Sequence, residues 1–326
     1  MEPVGLYRSF NSYLREIFGC RVQKISVDAG LTCPNRDGTL SYGGCIYCNQ
    51  RGSGTGAFER ALSIREQLEM GKARLAKRYK AKKFIAYFQS FSNTYGPLAT
   101  LKLFYEEALS VSDIVGLSLG TRPDCAPDEV LDYLKELSRE HLIWVEYGLQ
   151  SSNDATLIRI NRGHTVEAFL DAVSRSRARN LPICVHIILG LPGESREDML
   201  ETARFLACQD IQAVKIHLLY VILGTPLEEW YRTGGFQCLS LDEYISIVAE
   251  FLSLLPSRFI IQRLTGDPHP RELAAPAWAL EKQRNLRAIH DHMRNHGLYQ
   301  GKFYRRFQGL RPILARSQID TRTGVG

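Results

Sequence analysis

Between residue 21 and about residue 221, short apolar, β-branched runs alternate with segments whose apolar positions recur at helical spacing. The runs Arg21–Val27, Phe84–Gln89, Ile114–Leu119, Leu142–Gly148, Ile183–Leu189 and Val214–Val221 predict strands. Amphipathic stretches such as Pro127–Glu140, Thr165–Arg179 and Ser195–Cys208 predict helices between them. The helix starts carry their own signals: Pro127 precedes Asp128 and Glu129, Thr165 has Glu167 close behind, and Ser195 is followed three residues on by Asp198. Strands that each feed a helix imply a parallel sheet covered by helices, because parallel neighbours need a crossover connection. Six such units would curl into a partial or full barrel, an α/β fold.

After about residue 222 the rhythm changes. Gly224-Thr225-Pro226 is followed by a predicted helix Leu241–Leu255, a strand-like Phe259–Leu264 ending in TGDPHPREL, and a long amphipathic helix Ala277–His296 closed by Gly297. The expected organisation is a lead-in over 1–20, the partial barrel over 21–222, an α+β extension covering the barrel over 223–305, and a basic tail over 306–326.

Composition narrows the classes. With 44% hydrophobic and 23% charged residues, neither disorder nor a membrane protein is indicated, and no apolar run reaches the roughly 18 residues of a membrane span. The opening MEPVGLYRSFNSYLREIFGC lacks a basic region leading into an apolar stretch, so it does not read as a secretory signal; a cytoplasmic location with no membrane partner is expected. The net charge of +6 permits an anionic partner. Its distribution matters more: Lys72–Lys83 holds seven Lys or Arg, and Arg305, Arg306, Arg311 and Arg316 alternate with Tyr304 and Phe307. These are solvated faces or a polyanion-binding surface.

In a β/α series the working loops lie at the carboxyl ends of the strands. The conspicuous motifs fall there: LTCPNRDGTLSYGGCIYCNQRGSG after the first strand, Gln89 to Thr94 after the second, GTRPD after the third, YGLQSS after the fourth and LGLPGE after the fifth. Cys33, Cys45 and Cys48, spaced C-x11-C-x2-C, offer three thiolates on a turn-rich loop. The other five cysteines (Cys20, Cys125, Cys184, Cys208, Cys238) are scattered without ligand spacing and read as ordinary thiols. Three ligands without a fourth fit an iron–sulfur cube with one open corner; half a zinc ribbon that recruits Cys20 or a distant His is the competing reading.

The motifs VDAGLTCPNRDGT, GGCIYCNQRGSG, YFQSFSNTYGP, VEYGLQSSNDATLIRINRGH, HIILGLPGE, KIHLLYVILGTPL and RLTGDPHPREL resemble the radical S-adenosylmethionine (SAM) superfamily, and within it the YtqA/YhcC-like group. The usual superfamily spacing is C-x3-C-x2-C; a longer first gap is found in the branch near the catalytic subunit of elongator. The resemblance covers roughly residues 5 to 305. It implies an α/β fold with a partial (β/α)6 TIM-type barrel, at whose mouth Cys33, Cys45 and Cys48 hold a [4Fe–4S] cluster whose open iron is chelated by SAM. One electron then cleaves the C5′–S bond, and a 5′-deoxyadenosyl radical abstracts hydrogen from substrate.

The resemblance also distributes roles. Tyr47 would pack on the cofactor near the cluster, Gln89 and Ser90 would lie beside the methionine amine, Gln150 would bond the ribose and Arg162 the SAM carboxylate. His186 would stand near the adenosyl group, and the Gly190, Pro192 and Gly193 turn would approach adenine. Lys215 and His217, on one face of the sixth strand, are candidates for the substrate mouth; Asp267, His269 and Arg271 are candidates for a substrate phosphate or base. Relatives are linked to conversion of a carboxymethylaminomethyl to an aminomethyl group on the tRNA wobble uridine, so tRNA is the implied partner, with an electron donor such as flavodoxin or ferredoxin. A radical SAM enzyme of small metabolites or peptides, and a zinc-stabilised RNA-binding module without catalysis, are the alternatives.

Overall fold

The computed structural model describes residues 5–50, 52 and 62–304. Seven strands form one parallel sheet: β1 Val22–Val27, β2 Lys83–Phe88, β3 Ile114–Thr121, β4 Leu142–Gln150, β5 Ile183–Leu189, β6 Ala213–Leu218 and, after a short β7 at Val221–Ile222, β8 Ile260–Arg263. The order β1-β2-β3-β4-β5-β6-β8 is that of a barrel left open between its first and last strands. The strand-like Phe259–Leu264 of the extension thus becomes the seventh strand of the main sheet. The run Val214–Val221 is divided: β6 ends at Leu218, and Val221 joins β7, which pairs antiparallel with β9 Leu273–Ala275.

Helices α2 Ile64–Tyr79, α3 Leu98–Leu109, α4 Asp128–Leu137, α6 Val166–Arg177 and α7 Arg196–Ala207 cover the outer face, with the short α5 Asp154–Arg159 ahead of α6. Ser63, Ser195 and Ser240 close their helix starts with reciprocal capping boxes, the last opening α9 Leu241–Leu254. Leu68, Leu101, Leu131, Phe169 and Leu206 bury their side chains against the outer face of the strands. Helix α9 packs on α7 and on α10 Lys282–Asn295. The predicted helix Ala277–His296 is interrupted, because Glu281 leaves helical conformation between a 3-10 turn and α10; the Asn285 side chain takes up the Trp278 carbonyl at 2.9 Å. No helix among the described residues is long and apolar enough to cross a membrane.

The barrel interior is layered. At its amino-terminal end Trp144, Cys184, Ala213 and Ile260 form an apolar floor, which α1 Phe10–Phe18 plugs through edge-on contacts of Phe10 and Tyr13 with Trp144. One step higher along the same alternating faces the interior becomes charged, with Glu146 at its centre. Above that layer the strands end and the cavity of the cysteine loop opens.

Candidate active site

The cysteine loop follows β1, and its eleven-residue gap is folded away. Arg36 and Asp37 N–H groups return to the Cys33 carbonyl, Leu40 N–H to Pro34 O at 2.8 Å, and Asp37 and Tyr42 form an antiparallel bridge. The excursion closes where Gly44 N–H meets Asn35 O at 2.8 Å. Residues 36–43 therefore form a side loop, and the path that remains, Cys33-Pro34-Asn35-Gly44-Cys45, has the three-residue gap usual for the superfamily.

Other elements clamp this path. Ile46 N–H donates to Ile160 O and Asn161 Nδ2 to Gly44 O at 2.8 Å, while Leu227 N–H, at the start of α8 Pro226–Arg232, donates to Ile46 O. Asn35, fully buried, donates to Asn161 O at 2.6 Å and lies 3.8 Å from Cys45 Sγ. Arg162 donates to Gly148 O at 2.8 Å and to Cys45 Sγ at 3.6 Å; Arg122, paired with Asp124, holds the Arg162 carbonyl at 2.6 Å. The hydrogen bond from Cys48 lowers the Cys45 thiol well below its ordinary range against the effect of burial, and the Arg162 guanidinium acts in the same direction.

One cavity gathers Cys33, Cys45, Cys48, Tyr47, Gln89, Ser90, Gln150, Arg162, His186 and His217. Ser90 and Ser92 point hydroxyls there that are buried without a partner, while Gln89 is held by Ser26 Oγ at 3.0 Å. Gln150 adopts a left-handed φ of 77° at the end of β4. It can do so beside Arg162 because Gly148 has no side chain: a Cβ there would lie 2.6 Å from Gln150 Nε2 and 2.8 Å from Arg162 Nη2. Gly190 and Pro192 are not among the residues lining this cavity; they line a different cleft, with Arg159, Trp230 and Phe236. Lys215 sits beneath the cavity floor. Asp267, His269 and Arg271 are exposed on their loop; Asp267 pairs with Lys282 at 2.6 Å, and His269 Nδ1 accepts from Arg271 N–H at 3.3 Å.

The floor is an ion cluster that no local signal announces. Glu146, completely buried on β4, accepts from Lys24 of β1, Ser118 of β3, His186 Nε2 at 2.7 Å and Lys215 Nζ at 3.1 Å, and Lys215 also donates to Tyr87 OH at 2.9 Å. Burial alone would raise the Glu146 carboxyl, but the two ammonium groups and the imidazole hold it well below the usual carboxylate range. Burial and the Lys215 charge push His186 down to about 4, so its Nε2 is the N–H donor of a neutral ring. Glu146, Cys184 and His186 are the one trio of metal-binding atoms within 4.8 Å of one another among the described residues, but two ammonium groups on the carboxylate repel a cation.

The same geometry tests the donor set of the cysteines. Cys45 and Cys48 lie within hydrogen-bond reach of one another, and Cys33 lines the same cavity. Three thiols around one cavity, with the N–H donors of Asn35 and Arg162 behind Cys45 and orphaned hydroxyls among the lining residues, fit a cluster with a polar cofactor beside it.

Residues 33–206 match the Radical SAM superfamily and residues 211–295 the Radical_SAM C-terminal domain. The chain is 42% identical to "Uncharacterized protein YtqA" of Bacillus subtilis, over 93% of this chain and 94% of that protein, and 34% identical to "Protein YhcC" of Escherichia coli, over 91% and 96%. A "tRNA uridine(34) acetyltransferase" of Dehalococcoides mccartyi matches at 27% identity over 50% of this chain and 36% of its own length. The fold is shared with the Elp3 structure of Methanocaldococcus infernus at a TM-score of 0.65 and 18% identity, covering 86% of this chain and 64% of that one. The chain belongs to the radical SAM superfamily, a class of enzymes that use a [4Fe–4S] cluster and SAM on a partial barrel of this kind. Within that class it falls in the YtqA/YhcC group, with a more distant relationship to Elp3.

Proposed function

We propose that this enzyme modifies the wobble uridine of tRNA, converting a carboxymethylaminomethyl to an aminomethyl group. The observation that carries the reading is the match, over half of the chain, with a protein named for tRNA uridine 34. The surface is compatible: Lys77, Arg78, Lys80 and Lys82 are exposed at the end of α2 and before β2, as phosphate contacts would need to be. Arg305, Arg306, Arg311 and Arg316, the second basic group, lie outside the described residues.

Cys33, Cys45 and Cys48 would hold the cluster, and when bound the cluster and SAM supply one-electron cleavage to a hydrogen-abstracting carbon radical. The residues of this chain do the positioning. Arg162 and Asn35 orient Cys45, Tyr47 walls the cavity, Ser90, Ser92 and Gln150 offer polar contacts to the cofactor, and the Glu146 cluster seals the floor against water. We place the activity in the cytoplasm with a flavodoxin- or ferredoxin-type donor, where thiols stay reduced. The test compares wobble-uridine nucleosides from cells with and without this protein. Accumulation of the carboxymethylaminomethyl nucleoside on its loss is expected; an unchanged nucleoside profile defeats the reading and returns a small metabolite or peptide as substrate.

A further inference from the structure

Four guanidinium groups line the cysteine cavity, and three are already committed. Arg122 pairs with Asp124, Arg162 serves Gly148 O and Cys45 Sγ, and Arg36 donates to Asn49 O at 3.0 Å. Arg263, the last residue of β8, makes no hydrogen bond or ion pair among the described residues. The one carboxylate lining this cavity is Glu146, and Lys24, Lys215, Ser118 and His186 already occupy it. The cavity thus holds a cation with no anion to meet it.

Strand alternation would not have aimed Arg263 there. Ile260 faces the barrel floor beside Ala213, so the residue three positions on should point outward on a regular strand. The register with β6 slips instead: Ala213 pairs with Ile260 and Val214 with Ile261, but Lys215 pairs with Arg263. This bulge turns Arg263 into the cavity, as bulges beside active sites re-aim side chains. Next to it, the Nε2 atoms of His217 and of Gln262 are buried without partners. Burial and the nearby Arg263 charge hold the His217 ring neutral, so it can donate one hydrogen bond without adding charge. His217 and Arg263 both line the cavity, and a forked cation beside an unused polar nitrogen suits a planar oxyanion.

We propose that Arg263, with His217 beside it, is the subsite that takes a carboxylate of the substrate. The inference rests on the proposed function for its choice of group: a carboxymethylaminomethyl uridine ends in a carboxylate, and the aminomethyl product does not.

The test measures binding to the anaerobically reconstituted holoenzyme. The probes are carboxymethylaminomethyluridine, its neutral carboxamide and SAM, with iron content and Tm confirming that each variant is folded. The wild type binds the acid at least about 10-fold tighter than the amide, a difference of about 1.4 kcal/mol. Arg263→Met binds the two alike, Arg263→Lys falls between, and SAM affinity is unchanged in both variants. Equal binding of acid and amide by the wild type, or a preference that survives Arg263→Met, overturns the proposal. So does weakened SAM binding with the preference intact, which assigns Arg263 to the cofactor carboxylate, and so does an equal loss for acid and amide, which assigns it to another part of the nucleotide. If uridines do not bind but N-methylglycine raises the Tm of the wild type and not of Arg263→Met, the tRNA reading fails and the carboxylate subsite stands. If neither binds, the subsite falls.

Discussion

Arg162 Nη1 lies 3.6 Å from Cys45 Sγ while the other arm of the same guanidinium holds Gly148 O at 2.8 Å. A rigid fork therefore joins the end of β4 to Cys45, one of the three cysteines proposed to hold the cluster. The family resemblance assigns this Arg to the SAM carboxylate; in the structure three of its five N–H groups are directed to a carbonyl and a sulfur, so it also supports Cys45.

Arg162→Lys should retain the fold but loosen the cluster, since a single ammonium cannot bridge both acceptors. Loss of a partner that orients a ligand typically costs about 10–100-fold in metal affinity. Iron retention against a chelator should fall by that order, and the cluster potential should move negative as an N–H···S bond is lost. Gly148→Ala should reproduce the effect, because its Cβ would displace Arg162 Nη2. Wild-type iron retention and potential in both variants would refute this role.

Removing residues 36–43 should leave the cluster in place. The ends of the excursion, Asn35 O and Gly44 N, are already 2.8 Å apart, and the shortened chain has the C-x3-C-x2-C spacing. About four irons per chain with the same visible absorption are expected. A colourless protein would show that the side loop builds the site.

Glu146→Gln should be severely destabilising, because it leaves the ammonium groups of Lys24 and Lys215 facing a neutral amide in a buried layer. Removing one partner of a buried charge cluster costs about 3–5 kcal/mol, read as a fall in urea midpoint. The pH dependence has a definite sign. The folded carboxyl titrates below the ordinary 4.5, so its contribution is complete above that pH and is lost as the medium is acidified through the lowered value. The variant should lack that acid-side loss.

Glu194 runs the opposite way. Burial pushes its carboxyl up to about 7 from 4.5, despite hydrogen bonds from Ser151 and Thr156. The folded chain holds a proton there that the unfolded chain releases, so this group makes stability fall as pH rises from about 4.5 to about 7 and adds no further slope above. Glu194→Gln should flatten that part of the stability–pH curve and raise the Tm at pH 8 relative to wild type. An unchanged slope would mean that Glu194 is ionised throughout.

Much of the fold is local and could be read along the chain. The strands of the sheet are mostly apolar, interrupted by the few polar residues that face the barrel interior, and serine caps with acids three residues on mark Ser63, Ser195 and Ser240. The three cysteines were legible because their chemistry depends on residue type and spacing. Asn35, Arg122, Glu146 and Arg263 were not singled out. Asn35 looks like a turn residue, Arg122 and Glu146 look like surface charges, and Arg263 appears outward by strand alternation.

Residue order alone, then, made most of the element series and the cysteine trio legible, since both follow from short-range periodicity and side-chain chemistry. What neighbours what across the barrel came from packing. Gly190 and Pro192 were sent to a separate cleft, five strands brought polar groups onto one buried carboxylate or its ammonium partners, and a one-residue slip beside Lys215 turned Arg263 inward. Such contacts join positions distant in the chain, 122 residues apart for Lys24 and Glu146, and their geometry exists only once strand register and curvature have placed the chain in three dimensions.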